Sequence, residues 1–229
     1  MNDRMMTQSS LVEVAKGLGN LLPEVLFVGG AVVSLYSDSD EYNDFRPTYD
    51  IDMVIEIIGM TQWQAIIKQL RDRGFHPDPK GHSICRYLYR GIPVDIVSTE
   101  DGPFGPSNPW YKTGQPKTWE ISLDGVRIRL LSTPCFIATK FEAFRNRGTD
   151  YRFSHDIEDI IFLVETRSTL LQEIHQDLPE VQTFIASEFQ KIQSKGLLEE
   201  VLMAHIQPSN FESTYTSSLE LIRQILHRA

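Results

Sequence analysis

The segment Asp50 to Ile57, DIDMVIEI, constrains the fold more than any other in the chain. Ile51, Met53, Ile55 and Ile57 share one side of a two-residue period, and Asp50, Asp52, Val54 and Glu56 share the other. The pattern predicts a β-strand with one face on the core. It also puts two carboxylates on the same face, about 6.5 Å apart along the backbone. One reading is a solvated outer face of an edge strand. The other is a ligand pair, because ionised acids held together repel and call for a cation.

The flanking sequence supplies the rest of a sheet. Val25 to Val28 read as a buried strand stopped by Gly29-Gly30. Ala31 to Tyr36 is a short apolar stretch able to open a helix, and Ser37 to Thr48 is a polar, acidic loop. Thr61 is expected to cap an amphipathic helix through Ile66, Ile67 and Leu70, ended by Gly74. Arg86 to Arg90 and Pro93 to Val97, turning at Gly91, resemble a hairpin, and Asp95 interrupts its second strand. A second hairpin is expected from Trp119 to Leu131 about Asp124-Gly125. Between the hairpins, Ser98 to Thr118 is rich in Gly and Pro and carries Phe104, Trp110 and Tyr111. It reads as a long ordered functional loop. Trp110 and Tyr111 either stack a base or pack the loop onto the core.

Ser9 and Ser10 are expected to cap a first helix over Leu11 to Leu18, closed by Gly19. From Thr133 onward the pattern is helical, with Pro134 in a first turn, Gly148 at the end, and a second helix from about Ser154 to Thr166. The expected fold class is therefore α+β. A mixed sheet with flanking helices occupies residues 1–131, and a helical region that contributes to the active site occupies 132–229.

Bulk properties narrow the function. The 229 residues are 41% hydrophobic and 23% charged, ordinary for a soluble globular protein. A net charge of -9 argues against gripping nucleic acid over the whole surface, although Arg145, Arg147 and Arg152 could form a local basic patch. Cys85 and Cys135 have no metal-binding spacing and read as free, partly buried thiols. No signal-peptide layout and no apolar run of about 20 residues is present, so the expectation is a cytoplasmic protein without a membrane partner.

Asp50, Asp52 and Asp95 together suit a hard divalent cation, Mg²⁺ or Mn²⁺, of the kind that works on phosphates. Gly29-Gly30 is either a tight turn or bare backbone that lets a triphosphate come close to helix N–H groups. VGGA is not GxGxxG, so a dinucleotide site is not supported. Lys140 lies four residues from Phe136 and Phe144 and three from Ile137 and Ala143, on an apolar helical stripe that Arg147 continues. It either snorkels or meets phosphates.

The ordered series VGG (28–30), RPTYDID (46–52), VDIV (94–97), TKFEAFRNRG (139–148) and SHDIEDI (154–160) resembles the nucleotidyltransferase superfamily with its polymerase-beta-like palm. Within it, the series is most similar to the abortive-infection (AbiEii/AbiGii-type) toxin nucleotidyltransferases, over about residues 24–166. The resemblance implies that Gly29 and Gly30 form the first motif, that Asp50 and Asp52 bind metal, and that Asp95 is the third acid. It implies Lys140 as the cation for phosphates, with Arg147 assisting. Asp156 is the functional acid of the last motif, although acids also suit a helix start; Asp159 is read as structural and His155 as a surface residue. Arg46 is read as reaching a phosphate and Thr48 as shaping the approach to the strand. The gap from Gly30 to Asp50 is longer than the family's usual span, so residues 37–44 have no counterpart.

The activity implied is transfer of NMP from an NTP, often ATP, to an acceptor with release of pyrophosphate. Toxin relatives modify tRNA or other RNA and imply a cognate antitoxin; other members modify small molecules or proteins. The alternative is a non-catalytic module of the same fold that binds a nucleotide or a protein.

Overall fold

A computed structural model describes residues 6–38, 47–57, 59–81, 85–101, 107–206 and 211–227. Arg46, Phe104 and most of the acidic loop lie outside the described residues. The chain divides into two compact units: Met1–Ser34 with Asn43–Leu131, and Leu35–Tyr42 with Ser132–Ala229.

The first unit is a seven-stranded mixed sheet with helices. It opens with α1 (Gln8–Leu18), whose N-cap is Thr7, not Ser9 or Ser10. The Thr7 hydroxyl accepts the Ser10 N–H, and the Ser10 hydroxyl accepts the Thr7 N–H, a reciprocal capping box. Gly19 closes the helix at φ +55°. The strands are β1 (Val25–Val28), β2 (Ile51–Ile55), β3 (Phe75–Pro77), β4 (Arg86–Tyr89), β5 (Ile92–Ser98), β6 (Thr118–Leu123) and β7 (Val126–Leu131). Their order across the sheet is β3-β4-β5-β2-β1-β7-β6. β2 runs parallel to β5, and β1 parallel to β7 through Leu26 and Arg129; the remaining neighbours are antiparallel.

The strand reading of DIDMVIEI holds, with Ile51, Met53 and Ile55 buried. Val54, on the acid-bearing face, is also fully buried, so that face is covered beyond Asp52. Both expected hairpins form on two-residue turns in the left-handed region: Arg90-Gly91 (φ +50° and +82°) and Asp124-Gly125 (φ +47° and +76°). Three further features differ from expectation. α2 (Gly59–Asp72) starts two residues ahead of Thr61. β3 escapes the pattern because only Phe75 of its three residues is buried. The long Gly/Pro-rich stretch contains a helix, α3 (Pro109–Gly114), because the Asn108 side chain accepts the Trp110 N–H and Pro109 suits the first turn.

Among the described residues the second unit comprises 35–38 and six helices: α4 (Thr133–Arg147), α5 (His155–Thr166), α6 (Leu170–Gln176), α7 (Pro179–Ser194), α8 (Leu198–His205) and α9 (Phe211–His227). Ser132 and Ser154 cap α4 and α5 through side chains that accept the N–H of Cys135 and Asp156. Tyr36 is buried against Phe136, ring centroids 4.6 Å apart. Burial pushes its phenol pKa well above the usual value. Asp38 accepts the Ser168 N–H and hydroxyl at 2.8 and 2.6 Å and the Arg167 guanidinium at 2.6 Å. Phe141 meets Phe189 edge-on at 5.1 Å within the helical core. Neither cysteine forms a disulfide; Cys135 is buried and Cys85 half-buried. Among the described residues no helix is long and apolar enough to cross a membrane.

Candidate active site

The sheet register brings the three acids together. Asp52 pairs with Asp95 across the parallel β2–β5 ladder, and Arg86 pairs with Asp95 across the antiparallel β4–β5 ladder. Residues in register share a face, and Asp50 lies two residues before Asp52, so Asp50, Asp52, Asp95 and Arg86 project from one face. The guanidinium of Arg86 grips Asp95 with two bonds, Nε to Oδ1 at 2.8 Å and Nη2 to Oδ2 at 2.6 Å, and Nη2 also donates to Asp50. The hydrogen bonds to Asp95 hold the Arg86 pKa above its already high value despite partial burial, with the negative charges of Asp95 and Asp50 adding to the effect. Gripped in this way, the acids are spaced for a guanidinium. Among the described residues no group of three His, Cys, Asp or Glu is arranged to hold a metal ion.

Gly29 serves this cluster. It sits at φ +75°, and a Cβ built on it would stand 2.7 Å from Asp52 Cγ and nearer still to Oδ2. The bare α-carbon makes room for an acid of the adjacent strand, a role that neither reading of the glycine pair anticipated. Gly30 begins the 3-10 turn from Gly30 to Tyr36. Thr48 is buried, and its carbonyl accepts the Met6 N–H at 2.7 Å, which ties the approach to β2 back to the start of α1.

A second charged cluster lies within the helical unit. Lys140 is only 6% exposed, and Asp156 and Asp159 are 4% and 0% exposed. Lys140 Nζ stands 2.6 Å from Asp159 Oδ2 and 3.7 Å from Asp156 Oδ1, and 5.5 Å from the centre of the Phe136 ring. Arg147 bonds both oxygens of Asp156, Nε at 2.9 Å and Nη2 at 2.8 Å. Burial keeps these ions only because they are paired. Asp159 is thus the nearest partner of Lys140, in keeping with its structural reading. His155 is exposed and bonds Glu158 at 2.8 Å. The expected basic patch is matched by acids: Arg145 pairs with Glu142, and Arg152 with Asp150 and Glu200. Trp110 and Tyr111 stand in the first turn of α3, both half-buried.

Sequence reasoning passed over Arg86, although a signal existed. Given a two-residue turn at Arg90-Gly91, Tyr89 must face Ile92, and counting back along both strands sets Arg86 opposite Asp95.

No known family profile matches the sequence. No curated protein matches it either. Among solved structures the chain is similar to an antigenic nucleotidyltransferase-like protein from Paracoccidioides brasiliensis, with 19% identity and a TM-score of 0.48 over 90% of this chain and 96% of that one.

Proposed function

We propose that the chain is a metal-dependent nucleotidyltransferase that moves NMP from an NTP to an acceptor hydroxyl. The observation that carries this reading is the register of Asp52 and Asp95 on neighbouring parallel strands, with Asp50 on the same face. Sheet packing has no use for three carboxylates there. Their hard oxygens are of the kind Mg²⁺ or Mn²⁺ takes, and Arg86 already places positive charge on two of the three acids. When bound, the ion would offset charge on phosphate oxygens. In the transfer, the acceptor oxygen bonds the α-phosphorus, the bond to the β-phosphate oxygen breaks, and pyrophosphate leaves. The acceptor proton passes to Asp95 or to solvent. Lys140 is proposed as the cation for phosphates and Asp156 as the functional acid beside it. Arg147, Gly30, Thr48 and Arg46 are proposed as supporting phosphate contacts. A toxin-type role in the cytoplasm, with tRNA as acceptor and a cognate antitoxin, completes the proposal.

The test is incubation with labelled NTPs, Mg²⁺ and total RNA. Label in one tRNA size class is the expected result, and label in protein or nowhere would refute the RNA acceptor. Asp52→Ala, checked for folding by circular dichroism, should lose more than the roughly 10–100-fold typical of outer-shell partners. Full activity in that folded variant would sink the assignment.

Arg86 favours one second reading, a non-catalytic nucleotide-binding module whose acids stay paired to an internal cation. NTP binding without turnover across a broad acceptor panel would support it.

A further inference from the structure

We propose that Arg86 is a resident counter-ion that competes with the divalent cation for Asp50 and Asp95, and that it moves onto phosphate when metal and nucleotide load together. The inference rests on the metal-dependent reading above.

Three observations support it. First, the β4–β5 register fixes Arg86 opposite Asp95, and its fork bonds Asp95 twice and Asp50 once, so the oxygens a metal needs are already engaged. A divalent ion on those oxygens would face a guanidinium a few ångströms away, a repulsion large enough that both cannot stay. Second, Arg86 is anchored at its base and partly exposed. Its carbonyl accepts the Asp78 N–H at 3.0 Å. Its stem lies against Gly81, where a Cβ would come 3.0–3.2 Å from Arg86 Cβ, Cγ and Cδ. The side chain as a whole is 30% exposed, so the guanidinium can leave the acids without disturbing the core. Third, a freed guanidinium is matched to phosphate by its planar pair of donors.

Competition of this kind multiplies the intrinsic metal affinity by the fraction of molecules in which Arg86 has let go, and so lowers it. Metal alone should therefore bind weakly, and metal with a triphosphate should bind well, because the phosphates give Arg86 a new partner.

The experiment titrates Mn²⁺ by electron paramagnetic resonance into the full chain and into Arg86→Gln, with and without a non-hydrolysable NTP analogue. Arg86→Gln should bind Mn²⁺ alone at least about tenfold more tightly, and the added gain from the analogue should shrink. Arg86→Lys, which keeps the charge but loses the fork, should shift both readings in the same direction by less, and serves if the Gln variant misfolds. Equal Mn²⁺ affinity in wild type and variants would overturn the role of Arg86 alone. Absence of Mn²⁺ binding in every form would overturn it together with the metal-dependent reading.

Discussion

The Asp52 carboxylate occupies the space that a side chain on Gly29 would need. The end of β1 is therefore shaped around an acid of β2, and the two positions form one unit. Gly29→Ala should cost about 1–3 kcal/mol, combining left-handed strain with the displaced carboxylate. In an Asp52→Ala background the same substitution should cost less, since the carboxylate is gone and only the backbone strain and the 2.9 Å approach to the Cβ of residue 52 remain. Urea unfolding of the four proteins measures the coupling; costs that simply add would separate the two residues.

Lys140 holds two buried acids. Lys140→Met should destabilise the protein by about 3–5 kcal/mol, because it takes away the ammonium group 2.6 Å from the fully buried Asp159 carboxylate. Adding Asp159→Asn should restore a large part of that loss. Thermal unfolding distinguishes this from a lysine that merely covers apolar surface, for which the second change would bring no recovery.

Asp38 gives unit 2 an acid-sensitive tie. Partial burial pushes its carboxyl up, but hydrogen bonds from Ser168 and the charge of Arg167 outweigh this and hold it below the ordinary 3.8. A folded-state pKa below the unfolded one means stability that is fully present above the ordinary value and lost as the pH falls through the folded value. Urea midpoints measured over roughly pH 2–5 should fall less steeply in Asp38→Asn than in the wild type. Identical slopes would remove Asp38 from the acid response.

Ser132 carries two bonds at the start of α4. Its hydroxyl accepts the Cys135 N–H at 3.3 Å and donates to Asp177 at 2.7 Å. Ser132→Ala should cost about 1–2 kcal/mol in urea unfolding, while Ser132→Thr keeps most of it. A neutral alanine would mean that water replaces both bonds.

Much of the scaffold was legible because it rests on short-range rules. The alternation of DIDMVIEI, the Asp124-Gly125 turn and the Gly148 stop are each written within a few residues. β3 was not, since three residues with one buried side chain carry no period and depend on β4 for their pairing. α3 was hidden because Gly and Pro dominate its surroundings, although Asn108-Pro109 is a cap and first turn in miniature. The acids could be singled out as misplaced on a strand, but their partner could not be seen by scanning for acids. Arg86 belongs to the cluster through register, which is a relation between strands rather than a property of either one. Lys140 looked like a cation awaiting an anion, and the distance that ties it to Asp159 emerges only when α4 and α5 pack.

The parallel pairing of Leu26 with Arg129 has a consequence for biosynthesis. β1 leaves the ribosome about a hundred residues before the strand that covers its second side. At about 5–20 residues per second, that interval is roughly 5–20 s. Through it the apolar run Val25 to Val28 keeps one row of backbone donors and acceptors open to any passing strand. A nascent chain of this protein thus carries an open apolar strand edge for as long as translation takes to reach β7.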